Sequence, residues 1–451
     1  MKTPETPPNM NAILQEASKE PEELLRLYKW AQPTDPKGRY LHWDKIRHLN
    51  PPEGFATKEW WVAMKLARQG LYRPINLLDT NQEHFQYAIP DSIQKDLHEL
   101  AKNAAGNLSS NKEIINSGLR NTYLIRSLIN EAISSSQLEG AATTTPVAKE
   151  MLRQGRKPRD ISEQMIQNNY VAMQFIADIK SEPLTPSIVF ELHRILTQDT
   201  LKNPGAAGKF RMQEDDVVVM DPIDGVILHI PPKPEELPER MQRLCQFANE
   251  ENPNLFINPL VKAIILHFAL AYDHPFVDGN GRTARALFYW FAARQGYDLI
   301  SFASISRVLK KEHGQYKRAF LYTETDQNDL TYFIIHQISV IKKCIDILFE
   351  FLKKESEEIK QAEKHLEGKK HLRNLLNYRQ IALLKHALKS PGFIYTVYGH
   401  QNTHGVAYET ARKDLMDMAK KWSLLNIKKE GKSYVFEAPE DLKERIELAK
   451  Q

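Results

Sequence analysis

Apolar residues recur at helical spacing on both sides of a short glycine-rich stretch in the second half of the chain. Ahead of it, Asn258-Pro259 is typical of an N-cap followed by a first helical residue, and the apolar positions keep a helical period up to Tyr272. The period resumes at Arg282 and ends at Gly296. The pattern therefore predicts a helix, a loop over 274–281 and a second helix.

The same pattern predicts helices elsewhere, over about 111–140 and 185–196. Two β-branched runs around an Asp-Gly turn, about 216–230, predict a hairpin, and this is the only strand pair expected ahead of the loop. Residues 377–440 are expected to form three helices and a second hairpin. These elements together predict a mainly α protein.

Length and composition narrow the class of protein. The 451 residues are too many for one ordinary core, and 42% hydrophobic with 26% charged residues is typical of a globular protein. A net charge of +4 is too small to indicate nucleic-acid binding. Cys245 and Cys344 lie in apolar helical stretches and are expected to be reduced and buried. Without a signal peptide or a long apolar run, the expected location is the cytoplasm.

The loop also contains residues suited to phosphate chemistry. Backbone N–H groups at a helix N-terminus bind phosphate oxygens, and Arg282 and Arg285 fall one turn apart in the first turn of the second helix. Asp278 is a candidate ligand for a hard cation, and His274 is a candidate base near neutral pH. The alternative is a helix-turn-helix corner whose arginines are merely solvated. The residues favour a nucleotide site with a base beside it.

The run from His274 to Arg285 resembles the signature of the Fic family, His-x-Phe-x-(Asp/Glu)-Gly-Asn-Gly-Arg-x-x-Arg, at every defined position. The resemblance implies a Fic-type helical bundle that transfers AMP from ATP, with Mg²⁺ or Mn²⁺, to a Tyr, Thr or Ser hydroxyl of a target protein or of itself. It implies a base at His274 and a metal ligand at Asp278. The nucleotide-binding residues that it implies are Gly279, Asn280, Gly281, Arg282, Arg285 and, more loosely matched, Tyr316.

A second motif lies ahead of the signature. Taken alone, Glu139 at a helix end is typical of a solvated glutamate. Ser135-x-x-x-Glu139-Gly140 nevertheless resembles the inhibitory motif of self-restrained Fic proteins. In that family the glutamate pairs with the second signature arginine, here Arg285, so the resemblance implies an autoinhibited enzyme. An alternative within the enzyme class is that Glu139 positions water to remove AMP from a modified protein.

The resemblance also orders the domains. It implies an N-terminal extension (1–106), in which a turn-rich passage is expected over 76–80, and a catalytic domain (107–350) whose hairpin is a flap over the active site. The flap would hold a target segment by strand addition; the alternative is a scaffold ribbon. A linker helix (351–376) and a winged helix-like domain (377–440) follow.

The C-terminal domain leaves a function of a different class open. Its lysines could contact DNA, but acidic residues interleave with them, so DNA binding is not favoured. A winged-helix regulator with a nucleotide-sensing Fic unit is therefore the competing hypothesis. The sequence does not fix the oligomeric state, and a homodimer is compatible with it.

Overall fold

The computed structural model describes residues 3–30, 32–105, 117–221, 224–250, 256–297, 300, 303–364, 375–430 and 433–448. Helices form most of its regular structure, which confirms the prediction of a mainly α fold. In chain order they are α1 (Met10–Ala17), α2 (Pro21–Lys29), α3 (Trp43–Ile46), α4 (Thr57–Gln69), α5 (Asp91–Ala105), α6 (Ser117–Leu138), α7 (Thr145–Gln154), α8 (Ile161–Asp178), α9 (Pro186–Thr197), α10 (Leu237–Asn249), α11 (Pro259–Asp273), α12 (Asn280–Arg294), α13 (Ile305–Lys311), α14 (His313–Thr325), α15 (Thr331–Lys364), α16 (Tyr378–Lys389), α17 (Val397–His404), α18 (Tyr408–Met416) and α19 (Leu442–Leu448).

The strands of the described residues form small antiparallel sheets. The first pairs β1 (Arg73–Leu78) with β2 (His84–Tyr87), and the second pairs β3 (Val219–Met220) with β4 (Ile227–His229). The third has the order β5-β7-β6 and contains β5 (Ile394–Thr396), β6 (Asn426–Glu430) and β7 (Ser433–Glu437). In the part of the chain that the structure describes, no helix has the length and apolar character needed to cross a bilayer.

The chain divides into two compact units. Unit 1 consists of Met1–Asn103, Val171–Tyr297 and Val308–Lys342, and unit 2 of Ala104–Tyr170, Asp298–Arg307 and Lys343–Gln451. These units cut across the expected domain boundaries. The N-terminal extension shares a unit with the glycine-rich loop, and the helix expected at 111–140 shares one with the C-terminal residues.

Helices α11 and α12 form the interior of unit 1. The Asn258 side chain accepts the N–H of Leu260 (3.0 Å), so the predicted N-cap is confirmed. From Leu260 to Leu270 every residue of α11 is buried, and most of α12 is buried as well. A helix that is buried on all sides lies inside a core, so both helices that flank the loop are rigidly held.

The N-terminal extension is fastened to unit 1 by buried polar side chains. The hydroxyls of Tyr40 and Tyr72 donate to Asp329 at 2.6 and 2.9 Å. The Lys65 ammonium bonds the Tyr72 hydroxyl at 2.8 Å and the Asp326 carboxylate at 2.9 Å. Lys65, Asp326 and Asp329 are each almost fully buried. Because a buried charge that loses its partner is strongly destabilising, the extension is an integral part of this unit.

The prediction of a turn-rich passage over 76–80 was wrong, because strand β1 continues through the first part of it to Leu78. The turn itself lies later, where the Asp79 N–H donates to the Glu83 carbonyl at 2.9 Å. The strand begins Arg73-Pro74, and only Ile75, Asn76 and Leu77 alternate between apolar and polar, which is too short a run to identify a strand in the sequence.

Unit 2 contains the C-terminal domain with the predicted helices and hairpin. Strand β5, which pairs with β7, was not predicted. Helix α18 ends at Met416, and a π-helical turn (Asp417–Lys421) follows it. The linker helix expected at 351–376 is, as far as Lys364, the end of the continuous helix α15, while 365–374 lie outside the described residues. The winged-helix assignment stays an interpretation of this element order.

Candidate functional site

His274 follows the last residue of α11, as the sequence predicted. It has left-handed backbone angles (φ 45°, ψ 54°), and its N–H donates to the Leu270 carbonyl at 3.1 Å. Its Nδ1 lies 3.1 Å from the Ala271 carbonyl. A carbonyl only accepts hydrogen bonds, so Nδ1 carries the proton and Nε2 is the basic nitrogen of the neutral ring. This tautomer suits a general base.

The loop after His274 is closed by the side chain of Asn280. Its Oδ1 accepts the Phe276 N–H at 2.9 Å, and its Nδ2 donates to the Phe276 carbonyl at 2.7 Å. Both residues are buried, and α12 begins at Asn280, two residues earlier than predicted. Both hydrogen bonds of the Asn280 side chain are therefore made to the backbone of the loop itself. That the amides of Gly279, Asn280 and Gly281 bind phosphates stays a prediction.

Gly279 is required by its conformation and by its surroundings. Its φ is +83°, a region that side chains other than glycine rarely adopt, and a Cβ there would lie 2.8 Å from Thr197 Cγ2. The loop thus passes too close to helix α9 to carry a side chain at this position.

His193 supports the loop from α9. Its Nε2 donates to the Asp278 carbonyl at 2.8 Å, its Nδ1 accepts the Gly208 N–H at 2.9 Å, and its ring stacks on Phe276 with centroids 3.8 Å apart. Burial lowers the pKa of His193 to about 4, in keeping with the neutral tautomer that these bonds need. These contacts give His193 a structural role in supporting the loop.

Arg282 and Asp278 form a connected pair. The Arg282 side chain is fully buried, its Nη1 donates to the Leu196 carbonyl at 2.9 Å, and its Nη2 lies 3.4 Å from Asp278 Oδ2. The Asp278 side chain is 58% exposed and also accepts the Gly279 N–H at 2.6 Å. Arg282, expected to bind the nucleotide, here contacts the Asp278 carboxylate. Arg285, one turn further along α12, is also buried. Phosphate contact by either arginine stays a prediction.

The donor set at Asp278 decides which kind of metal could bind. Among the described residues there is no group of three or more His, Cys, Asp or Glu side chains that could hold a metal ion by themselves. Mg²⁺ commonly takes one or two carboxylates and completes its shell with water and substrate phosphate oxygens. One partly exposed carboxylate beside a phosphate loop fits that mode of binding and does not fit a structural metal site.

Arg211 holds the loop in place from a segment for which no role was predicted. Its Nε donates to the His274 carbonyl at 2.8 Å, its backbone N–H to the Pro275 carbonyl at 2.9 Å, and its Nη2 to the Pro232 carbonyl at 2.5 Å. The residue is buried. It therefore fixes the peptide that carries the candidate base, and no periodicity or spacing in the sequence indicates this contact.

The hairpin β3-β4 is shorter than predicted and is anchored by His229. The His229 Nε2 donates to the Tyr272 carbonyl, and its Nδ1 lies near Glu324 Oε2, both at 2.7 Å. The apolar side chains of Met220 and Ile227 are each more than half exposed. Exposed apolar side chains on a short, open hairpin suit the addition of an extended segment. The flap role stays a prediction; the turn residues 222–223 lie outside the described residues.

Tyr316 lies in the core of unit 1. Its ring is buried, and its hydroxyl bonds Nε2 of the buried His267 at 2.8 Å. The predicted role of Tyr316 at a nucleotide pocket stays a prediction. In the structure, its ring packs in the core and its hydroxyl forms the hydrogen bond with His267.

The second motif lies at the end of α6 in unit 2. The helix ends at Leu138, and Gly140 has a φ of +97°, as expected for a glycine that ends a helix. Ser135 is buried and Glu139 is exposed. The first residues of the predicted helix, 111–116, lie outside the described residues. Arg285 belongs to unit 1, and its pairing with Glu139 stays a prediction.

A histidine at a helix C-cap, followed by a buried loop that leads into the N-terminus of a second helix, defines a candidate phosphate-transfer site in a helical domain. Residues 183–292 match the Fic/DOC family.

Several named proteins are similar to this segment. The chain is 35% identical over 118 residues to protein adenylyltransferase Fic of Nematostella vectensis, which is 26% of this chain and 25% of that protein. It is 33% identical over 164 residues to the same-named protein of Drosophila mojavensis, covering 36% and 29%. The matched segments thus span between a quarter and a third of these relatives. A solved Fic family protein from Desulfovibrio desulfuricans G20 superposes with a TM-score of 0.47 at 16% identity, covering 77% of this chain and 95% of that one.

Proposed function

We propose that the protein is an autoinhibited adenylyltransferase, which transfers AMP from ATP to a Tyr, Thr or Ser hydroxyl of a protein target or of itself. The observation that carries the proposal is the tautomer and position of His274, whose Nδ1 is tied to the Ala271 carbonyl at the start of the signature loop. The similarity to proteins named protein adenylyltransferase Fic supports it.

The reaction would use residues that the loop holds in place. Nε2 of His274 takes the proton of the target hydroxyl, and the hydroxyl oxygen forms a bond to the α-phosphorus of ATP. The bond from that phosphorus to the oxygen bridging to the β-phosphate breaks, and pyrophosphate leaves. The proton then passes from His274 to solvent. The amides of Asn280 and Gly281 receive phosphate oxygens at the helix N-terminus, and the buried Arg285 adds positive charge.

A divalent cation is part of the proposal. Asp278 would hold Mg²⁺ or Mn²⁺, which when bound neutralises phosphate charge. Arg282 and the Gly279 N–H keep the Asp278 carboxylate in one orientation. A chelator such as EDTA should therefore abolish AMP transfer and added Mg²⁺ should restore it.

The base is tested by replacing His274. Purified protein is incubated with ATP and Mg²⁺, and AMP attached to protein is measured by mass spectrometry. His274→Ala should lower the rate by about 10²–10⁴-fold, the usual contribution of a general base. His98→Ala, an exposed histidine on α5 of the same unit, is the matched control and should keep the parental rate. AMP transfer by His274→Ala at the parental rate would refute the mechanism.

Autoinhibition is tested at Glu139. Glu139→Gly should raise self-adenylylation above that of the parent, while an equal rate would show that the match to the inhibitory motif is accidental. The alternative direction of the reaction has its own assay. Protein carrying AMP is incubated with the parent and with Glu139→Gly, and the release of free AMP by the parent alone would assign Glu139 to AMP removal.

A further inference from the structure

Helix α6, which ends one residue before the proposed inhibitory residue Glu139, belongs to the same compact unit as the C-terminal domain. In the sequence α6 comes before the Fic domain, and about 260 residues separate its end from α17. In space α17 packs against both α6 and α7. The helix that ends just before Glu139 is therefore supported by the C-terminal domain.

The contact between α17 and α7 is built from specific groups. The side-chain amide of Asn402 on α17 donates to the Arg153 carbonyl at 2.8 Å. Arg153 is in the last turn of α7, where carbonyls lack partners within the helix, so Asn402 serves as a cap supplied from another helix. The Tyr398 ring lies directly over Gly155, the left-handed residue that ends α7. A Cβ on Gly155 would overlap that ring, so the two surfaces fit closely.

The contact between α17 and α6 is equally close. Gly405, which ends α17 with a φ of +60°, lies against Ile125 of α6, and a Cβ on Gly405 would be 2.7 Å from Ile125 Cδ1. Ile125 also packs on the core that α6 shares with α7 and α8, formed by Ile129, Ile133, Ala148, Met151, Leu152 and Ile166. A displacement of α17 therefore acts on both helices and on the core between them.

The end of α6 is held by the same unit. Glu131 accepts hydrogen bonds from Ser304 Oγ at 2.8 Å and from the Ser306 N–H at 3.1 Å. The Ser136 hydroxyl donates to the Met165 carbonyl at 3.1 Å, and Gln137 donates to the Thr143 carbonyl at 2.7 Å. The turn at Glu139 thus follows a helix end whose position is set by its neighbours.

We infer that the C-terminal domain controls the inhibition: its helix α17 keeps α6 and α7 in the arrangement that presents Glu139, and loosening this contact relieves the restraint. The inference rests on the proposed function, in which Glu139 limits AMP transfer. It assigns the C-terminal domain a regulatory role within the chain. Any ligand of that domain that weakens the packing of α17 would then act as an activator.

The test uses the full chain and two mild substitutions in α17. Tyr398→Ala removes the ring over Gly155, and Asn402→Ala removes the cap on α7. The matched control is Tyr408→Ala on α18, because Tyr408 is 49% exposed and Tyr398 50%. Each α17 variant should raise self-adenylylation about five-fold, equivalent to ~1 kcal/mol, which is the usual contribution of a single hydrogen bond or ring contact. Tyr408→Ala should match the parent. In the Glu139→Gly background, neither α17 substitution should raise the rate further, because both act through that residue.

The outcomes separate this inference from the proposed function. If Glu139→Gly raises the rate but the α17 variants behave like Tyr408→Ala, the C-terminal domain does not control inhibition and the inference is wrong. If His274→Ala transfers AMP as fast as the parent, the proposed function fails instead. Hydrogen exchange provides a second readout. The amides of α6 should exchange faster in Tyr398→Ala than in Tyr408→Ala. Equal exchange in the two variants would overturn the inference, even if one variant were less stable overall.

Discussion

Replacing Asn280 with Ala tests whether its side chain, buried inside the loop, holds the catalytic segment together. The change removes both hydrogen bonds to Phe276, at 2.9 Å to its N–H and 2.7 Å to its carbonyl. Phe276 is fully buried, so its N–H and carbonyl lose these partners away from water. Each such group costs roughly 1–3 kcal/mol. With two such groups, the expected loss is about 2–6 kcal/mol in the free energy of unfolding of unit 1.

The assay is urea unfolding of the full chain, monitored by the fluorescence of the tryptophans in unit 1. AMP transfer is measured on the same preparations. Asn76→Ala, at an exposed position on strand β1, is the control and should stay within about 0.5 kcal/mol of the parent. Asn280→Ala should also lose most of its AMP transfer, because the loop links the base to the phosphate site. If Asn280→Ala were as stable as Asn76→Ala, the side chain would not be closing the loop.

Three further predictions concern residues that lie outside the signature. Burial lowers the pKa of His42 to about 4, below its value in the unfolded chain, so the folded protein favours the neutral ring. The stability that this provides is complete above pH ~6.5. As the pH falls toward 4, the free energy of unfolding of unit 1 should decrease by about 3 kcal/mol. Urea unfolding across that range should show a shallower loss for His42→Gln, and an equal slope would contradict this. His229→Ala should speed hydrogen exchange of the β3-β4 hairpin while α12 exchanges as in the parent; unchanged exchange in the hairpin would show that His229 is no anchor. Arg211→Lys should lower the kcat of AMP transfer by roughly 10–100-fold, since the ammonium cannot replace both guanidinium bonds, and a kcat within two-fold of the parent would contradict the role given to its bond with His274.

The loop could be predicted because its determinants are local. The N-cap at Asn258, the helical period up to Tyr272 and the glycines after His274 all lie within about 25 residues, and each has a direct conformational meaning. The two helices and the position of His274 just past the first of them were therefore predicted correctly. The position of Gly140 at the end of α6 followed from the same kind of signal.

The residues that support the loop could not be predicted, because their contacts are distant in sequence. Arg211 binds the His274 carbonyl from 63 residues away, and His193 binds the Asp278 carbonyl from 85 residues away. Neither contact can be recognised from the hydrophobic periodicity or the composition of the sequence. The inward direction of Arg282 was missed for the same reason, since its partner is the Leu196 carbonyl on another helix. The packing of α17 on α6 likewise depends only on tertiary structure.

The buried bonds that join the N-terminal extension to Asp326 and Asp329 also determine when unit 1 can fold during synthesis of the chain. The segment up to Asn103 is synthesised before its carboxylate partners, which follow more than 220 residues later. At about 5–20 residues per second, the extension waits roughly 10–50 s before those partners exist. Lys65, Tyr40 and Tyr72 must stay hydrated or be protected by a chaperone during that interval. A nascent chain that stops before Asp326 therefore cannot complete unit 1, although the whole signature loop has already been translated.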